Sequence, residues 1–175
     1  GNNVFFYSYT LTTVNYAKDI QLESIGTQVF SYAKGIRNLT IPATVKTIGT
    51  NAFSGATNLK ELVFEAGSQL TEIPGNMFAT CSSLEKIKIP ASVKTIGASA
   101  FYQCKKLSSV EFEDGIKLTS IGKNAFYQTA LKSVRLPKNS DGETLLGDKL
   151  FDSCTSLTSV TIPGNSTNIV KALYG

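Results

Sequence analysis

The chain has 175 residues, 42% hydrophobic and 17% charged, which is enough for one domain and excludes disorder driven by excess charge. Seventeen Lys and Arg against 13 Asp and Glu leave a formal charge of +4, too mild to mark a nucleic-acid binder. Histidine is absent, which removes Ser-His-Asp and Cys-His catalysis, imidazole metal ligation and histidine pH switching together. Apolar runs are only a few residues long, so no segment is expected to span a membrane. Gly1 to Thr10 lacks the basic and apolar regions of a signal peptide, so any export signal is expected to have been removed or never included.

Along the chain the sequence repeats. Val45-Lys-Thr-Ile-Gly-Thr-Asn-Ala-Phe53 returns as Val93-Lys-Thr-Ile-Gly-Ala-Ser-Ala-Phe101 and as Leu118-Thr-Ser-Ile-Gly-Lys-Asn-Ala-Phe126. Set in register on the final aromatic, the series is Phe5, Phe30, Phe53, Phe78, Phe101, Phe126, Phe151 and Tyr174, in steps of 25, 23, 25, 23, 25, 25 and 23 residues. Steps of this size with Leu-x-x-Leu-x-Leu character lie in the range of leucine-rich repeats. After each aromatic comes a block ending in apolar/polar alternation, the period of a half-buried strand. The blocks are Leu11-x-x-Val14-x-Tyr16, Ile36-x-x-Leu39-x-Ile41, Leu59-x-x-Leu62-x-Phe64, Leu84-x-x-Ile87-x-Ile89, Leu107-x-x-Val110-x-Phe112, Leu131-x-x-Val134-x-Leu136 and Leu157-x-x-Val160-x-Ile162.

Each block closes on one of two turns. Pro42, Pro90, Pro137 and Pro163 remove a donor and end the strand. Glu65-Ala-Gly67 and Glu113-Asp-Gly115 are acidic-Gly turns two residues longer, which explains the 23/25 alternation. The chain then returns through Val45-x-x-Ile48-Gly49 and its equivalents, and Asn-Ala-Phe is expected to begin a short helical turn. One such coil buries too little apolar surface to offset the entropy of ordering it, so the coils must stack and share ladders of Phe and Leu. The residues therefore give a single solenoid domain over 1–175, of about seven to eight turns, with strands along one face and little regular α-helix. Both ends fall within a repeat and neither shows a convincing polar cap, although Phe5-Phe-Tyr-Ser-Tyr9 could fold over the first turn. A piece of a longer array is the expectation.

Departures from the pattern are where function or capping is expected. One residue is missing between Phe126 and Leu131 relative to Phe101 and Leu107. The loop Lys138-Asn-Ser-Asp-Gly-Glu143 carries three extra residues, with Glu143 where Val or Leu is expected. Asn139, Asp141 and Glu143 alternate as calcium ligands do, but the other ligands are missing, and a plain surface turn is expected.

Cys81, Cys104 and Cys154 all sit three residues after the ladder aromatic, where other coils carry Ser8, Ala33, Ala56 and Thr129. That is a small buried slot, so free thiols are expected, with a Cys81–Cys104 disulfide between adjacent turns as the alternative. Metal binding is not expected, because no C-x-x-C or His partner exists. Glu111, Glu113 and Asp114 cluster, but a strand acid beside turn acids is ordinary solvated surface, so no catalytic residue is assigned. No phosphate-cradling glycine motif occurs, and no cofactor is implied. Asn38-Leu-Thr40 and Asn165-Ser-Thr167 are glycosylation sequons only in a eukaryotic secretory host.

The outward strand columns read Thr13, Asn38, Glu61, Lys86, Ser109, Ser133, Ser159 and Asn15, Thr40, Val63, Lys88, Glu111, Arg135, Thr161. This face is polar and mixed in sign, without the clean basic stripe or stacking aromatics of a nucleic-acid site. Off the strands, Tyr102 and Tyr127 follow successive ladder phenylalanines and are expected side by side, either as a protein contact or as cover for the turns. The candidate protein-binding surface is therefore Glu61, Lys86, Lys88, Glu111 and Arg135, with Tyr102 and Tyr127.

The pattern Leu-x-x-Ile-x-Ile-Pro-x-x-Val-x-x-Ile-Gly-x-x-Ala-Phe-x-x-Cys, which Leu84 to Cys104 follows nearly throughout, resembles the BspA-like, treponemal-type leucine-rich repeats. The resemblance covers essentially the whole chain; Pro74 and Val170 at the Gly position and the 138–143 loop depart from it. It implies a curved right-handed superhelix with a parallel β-sheet on the concave face and short strands and turns on the other side. It also implies a non-enzymatic, protein-binding module of a bacterial surface or secreted protein, with adhesion to host matrix or neighbouring cells among its roles. A structural spacer displaying another domain is the alternative. No catalytic or binding residue carries over from the family, so the ligand is not inherited.

Overall fold

Each of these coils closes on itself in space. The computed structural model describes residues 1–17 and 19–174, the side chain of Tyr174, the eighth aromatic of the series, lying outside the described residues. The return segments form short strands β1 (Ser24–Ile25), β3 (Thr47–Ile48), β5 (Glu72–Ile73), β7 (Thr95–Ile96), β9 (Ser120–Ile121), β11 (Thr144–Leu146) and β13 (Ser166–Thr167). The Leu-x-x-Leu-x-Leu blocks supply β2 (Asn38–Ile41), β4 (Glu61–Phe64), β6 (Lys86–Ile89), β8 (Ser109–Phe112), β10 (Ser133–Arg135) and β12 (Ser159–Thr161). All pairing is parallel and joins consecutive coils, giving a β-solenoid with one six-residue helix, α1 (Ile169–Tyr174), among the described residues. Inward and outward residues alternate along the strands as the period of two requires, for instance exposed-buried-exposed-buried over Lys86–Ile89.

The core is the shared ladder. Phe5, Phe30, Phe53, Phe78, Phe101, Phe126 and Phe151 stack face to face with centroids 5.2–5.6 Å apart and planes within 15° of parallel. Each such contact contributes about 0.5–1.5 kcal/mol beyond the area it buries. Phe53, Phe78, Phe101 and Phe126 are fully buried, with Ala and Leu columns beside them.

The ladder turns are not helical, contrary to the expectation for Asn-Ala-Phe. In every coil the residues two before and two after the ladder Phe lie in the left-handed region, as at Asn51 (φ 57) and Gly55 (φ 74), or Asn76 (φ 55) and Thr80 (φ 60). This conformation turns main-chain N–H groups along the solenoid axis. Phe53 N donates to Met77 O at 2.9 Å and Gly55 N to Ala79 O at 2.9 Å, and the same pair of bonds recurs from coil to coil. The recurring Gly of Ile-Gly serves close approach instead: a Cβ at Gly97 would lie 2.4 Å from Gly75 N, and one at Gly122 2.4 Å from Ala98 N.

Prolines interrupt the sheets at definable places. Along the short strands the column Gly donates to the preceding coil, Gly97 N to Ile73 O and Gly122 N to Ile96 O at 2.7 Å each. Pro74 occupies this column without an N–H, and the short-strand sheet divides there, β1-β3 on one side and β5 through β13 on the other. Along the long strands Glu65 N donates to Ile41 O and Glu113 N to Ile89 O, both at 3.0 Å. Pro42, Pro90 and Pro137 stand in that same column. Correspondingly β2–β4 and β6–β8 pair over four residues each, β4–β6 keeps a single pairing at Glu61 and Lys86, and β8 and β10 are not paired. The Leu11–Tyr16 block forms no strand, so the sheet begins at β2. The acidic-Gly turns thus mark the two tightest junctions, β2–β4 and β6–β8, where Glu65 and Glu113 accept from Ala43 N and Ala91 N at 3.0 Å. Pro163 stands in the same column, yet β10 and β12 pair over three residues, so a proline alone does not open a junction.

At the chain termini, Phe5 continues the ladder, so the aromatic Phe5–Tyr9 segment is the first coil itself and not a cover over it. Tyr7 stacks on Tyr32 at 4.9 Å, while Val4, Tyr7 and Tyr9 stay exposed. At the other end α1 places Ala172 in the core, and Asn168 Nδ2 donates to Leu146 O at 2.7 Å.

The shared ladder makes a direct prediction. Phe101→Ala should destabilise the protein by about 3–5 kcal/mol in urea denaturation, with several coils lost in one transition; a shift of less than 1 kcal/mol contradicts a continuous core.

Candidate functional site

The cysteine column shows how the small slot is used. Cys81, Cys104 and Cys154 are free and buried. Their thiols donate to the carbonyl of the ladder Phe one coil back: Cys81 Sγ to Phe53 O at 3.1 Å, Cys104 Sγ to Phe78 O at 3.0 Å and Cys154 Sγ to Phe126 O at 2.9 Å. Thr129, in the same column, instead donates to Phe126 O of its own coil at 3.1 Å. Burial pushes the Cys81 thiol up to about 12, and Cys104 is raised as well, by burial and then by Cys81. These are structural thiols aimed into the core, not nucleophiles.

The 138–143 loop is a hydrogen-bonded turn. Asn139 accepts from Asp141 N at 3.0 Å and donates to Glu143 O at 3.2 Å, and Asn165 of the next coil donates to Asn139 O and Gly142 O at 2.6 Å each. Asp141 is paired with Lys117 at 2.8 Å, and hydrogen bonds from Lys117 and then Ser140 hold its carboxyl below the usual range. Asn139, Asp141 and Glu143 are therefore not assembled toward a common point. Glu143 is exposed at its register position; Thr144 turns inward in its place and donates to Leu118 O at 2.7 Å.

The strand columns are in the register expected: Asn38, Glu61, Lys86 and Ser109 are successive partners, as are Lys88 and Glu111, and Arg135 and Thr161. Thr13 and Asn15 do not join, because their block is not a strand. Glu61, Lys86, Lys88, Glu111 and Arg135 thus share one sheet face. Lys86 pairs with Glu61 at 3.3 Å and Lys88 with Glu113 at 3.6 Å. Both pairs are exposed, and such pairs contribute about 0–1 kcal/mol. Tyr102 and Tyr127 lie apart from these, on the ladder turns. They stack with centroids 4.7 Å apart and planes 7° from parallel, beside a Gln103–Gln128 side-chain bond of 2.9 Å.

One concavity was not evident from the sequence. Between β8 and β10 the solenoid opens into a cleft of about 1070 Å³. Its walls carry Glu111 and Glu113 from one coil and Arg135 and Lys138 from the next, over Phe112 and Leu136. Pro137, which has no N–H to donate between coils, lines it, and the residue missing between Phe126 and Leu131 falls in the turn that precedes β10 on the same coil. The opening reaches the core, since Val110 and Phe112 are half-buried while their counterparts Ile87 and Ile89 are buried.

The model of the BspA type leucine rich repeat region matches in six copies, over residues 1–118 and 71–174. No curated protein matches the chain. Among solved structures, T. pallidum leucine rich repeat protein shares 31% identity with TM-score 0.73, over 86% of this chain and 68% of that one. The pneumococcal vaccine antigen PcpA shares 38% identity with TM-score 0.67, over 74% of this chain but 31% of its own length. A leucine rich cell surface protein of Faecalibacterium prausnitzii shares 25% with TM-score 0.57, over 87% of this chain and 48% of that one. The chain therefore spans about a third and a half of these last two proteins.

Two outcomes follow from the site geometry. Lys86→Ser with Lys88→Ser should change the urea midpoint little, about 0.5 kcal/mol or less in stability; substantial unfolding would reverse the assigned faces. The thiols give a pH test. Because the folded Cys81 ionises only near 12 while an unfolded thiol ionises near 9.0, the unfolded state releases the proton first. The stability difference between wild type and Cys81→Ala should then be flat below about pH 8.5 and shrink as pH rises above it, read by urea melts in steps of pH. The repeat pattern, the parallel coils and the matching family model together make this chain a member of the BspA-type leucine-rich repeat family.

Proposed function

We propose that the chain is a non-enzymatic protein-binding module of a bacterial cell-surface or secreted protein, with adhesion to host matrix or neighbouring cells as its role. The observation that carries this reading is the strand face. Its outward side chains, Glu61, Lys86, Lys88, Glu111 and Arg135, contribute almost nothing to the core, yet a rigid ladder of stacked rings holds them in fixed register. A surface whose chemistry is free of the fold suits recognition, where charge pattern sets partner choice. Tyr102 and Tyr127 add a second, aromatic contact on the turns. The company of a vaccine antigen and a cell surface protein among the similar structures supports an extracellular setting. Among the described residues no helix is long and apolar enough to cross a membrane.

A spacer that holds another domain clear of the envelope is the second reading, favoured by the end-to-end continuity of the ladder.

The test is surface plasmon resonance of the immobilised chain against purified extracellular-matrix and cell-surface proteins. The expected result is saturable binding to at least one, weakened about tenfold or more when Glu61, Lys86 and Lys88 are replaced by Ser together. No binding anywhere in the panel, with full replacement of the segment in its parent protein by an unrelated array of equal length, establishes the spacer and overturns the module. Turnover of a hydrolase substrate that Glu111→Gln abolishes overturns both.

A further inference from the structure

The seam between β8 and β10 brings three features together at one junction. First, the main chain is open. The Glu113 N to Ile89 O bond directs that residue's polar groups toward β6, so by strand alternation those of Val110 and Phe112 point toward β10. No backbone hydrogen bond crosses from this strand to Ser133–Arg135 among the described residues. Second, the apolar lining is accessible, because Val110 and Phe112 are half-buried at the mouth above the buried Leu136. Third, the charges are unspent. Glu111 and Arg135 follow one another in the same outward column, yet neither forms an ion pair among the described residues, whereas Lys88 is paired with Glu113 and Lys117 with Asp141.

We propose that this seam is a docking groove for an extended peptide segment of a partner protein, carrying one acidic side chain for Arg135 and one basic side chain for Glu111 with apolar residues between them. The inference rests on the protein-binding reading and deepens it. An extended peptide meets all three features at once: its amides and carbonyls satisfy the open main chain, as in strand-addition recognition, its apolar side chains cover Val110 and Phe112, and its two charges find the unpaired carboxylate and guanidinium. A nucleic acid fits poorly, because Glu111, Glu113 and Asp114 along one wall repel phosphate. A small anion or cation uses only half of the site.

The experiment uses fluorescein-labelled decapeptides bearing one lysine and one aspartate separated by one to three leucines, in both orders, with Gln/Asn analogues as uncharged controls. Anisotropy should show one charged order bound at least tenfold tighter than its uncharged control, with affinity falling as salt rises. Glu111→Gln and Arg135→Gln should each remove that preference without changing the melting temperature. The double reversal Glu111→Arg with Arg135→Glu should select the opposite order. Equal binding of charged and uncharged peptides by wild type, or a preference untouched by either single variant, overturns the groove. The same variants assayed against the partner found by surface plasmon resonance separate the two levels: partner binding retained without any peptide preference removes the seam and leaves the module standing, while a chain that binds neither peptide nor protein removes both.

Discussion

The hydrogen bond that each coil makes to the next along the solenoid axis is the constraint from which the other features follow. In strands it runs both ways, from Gly97 N back to Ile73 O and from Leu136 N forward to Thr161 O; at the ladder turns it runs forward, as from Phe53 N to Met77 O. The turns of a coil satisfy part of its backbone internally, as from Ala56 N to Phe53 O, but its strands have no partners within the coil and depend on the neighbouring coils. The left-handed residues flanking each Phe serve this end. Their cost in an L-residue is on the order of 1–2 kcal/mol, offset by two inter-coil bonds and a stacked ring per coil. The Phe stack is a consequence of the same spacing: once the backbones are a strand's distance apart, flat rings at equivalent positions lie face over face.

Proline acts on this constraint as a local release. The fold tolerates Pro74 and Pro90 because the Phe ladder on the far side of the coil stays closed, with Phe53, Phe78 and Phe101 within 5.6 Å of their neighbours. Both prolines act at one junction, between the Phe53 and Phe78 coils, where the short strands do not pair and the long strands keep a single pairing while the rings stay stacked. At Pro137 the same release coincides with a one-residue deletion, and the two together leave no strand pairing where Pro90 alone leaves one. Stability and opening are thus controlled by different columns of the same repeat.

The parts legible in the sequence were those set by repetition. Identical spacing forces equivalent residues into register, so the Phe column, the alternation of the strand face, the Tyr102–Tyr127 stack and the small slot of Cys81 and Cys104 could all be placed by counting. What counting misses is conformation within a coil. Asn-Ala-Phe has residues compatible with a helical turn, and only the demand for forward inter-coil bonds selects the left-handed alternative. Likewise Glu143 holds the apolar position by register, but a carboxylate cannot enter that interior unpaired. The chain shifts so that Thr144, whose hydroxyl can reach Leu118 O, goes in instead. The Leu11–Tyr16 block has the strand pattern but lacks the pairing, and Pro42 on β2 has no N–H to offer it.

The cleft was visible only as two separate irregularities, a missing residue and one proline among several. Both fall on the same coil, the missing residue in the turn that leads into β10 and Pro137 just after it. A closed junction covers its inward residues and can match its outward charges, as Lys86 is matched to Glu61. By relaxing one junction, the chain leaves Val110 and Phe112 half-buried and Glu111 and Arg135 without ion-pair partners among the described residues, while the ring ladder beneath runs on from Phe101 to Phe126 at 5.3 Å. In a repeat protein, a specific site arises most cheaply in this way, by withholding a contact at one junction while the rest of the array supplies the stability.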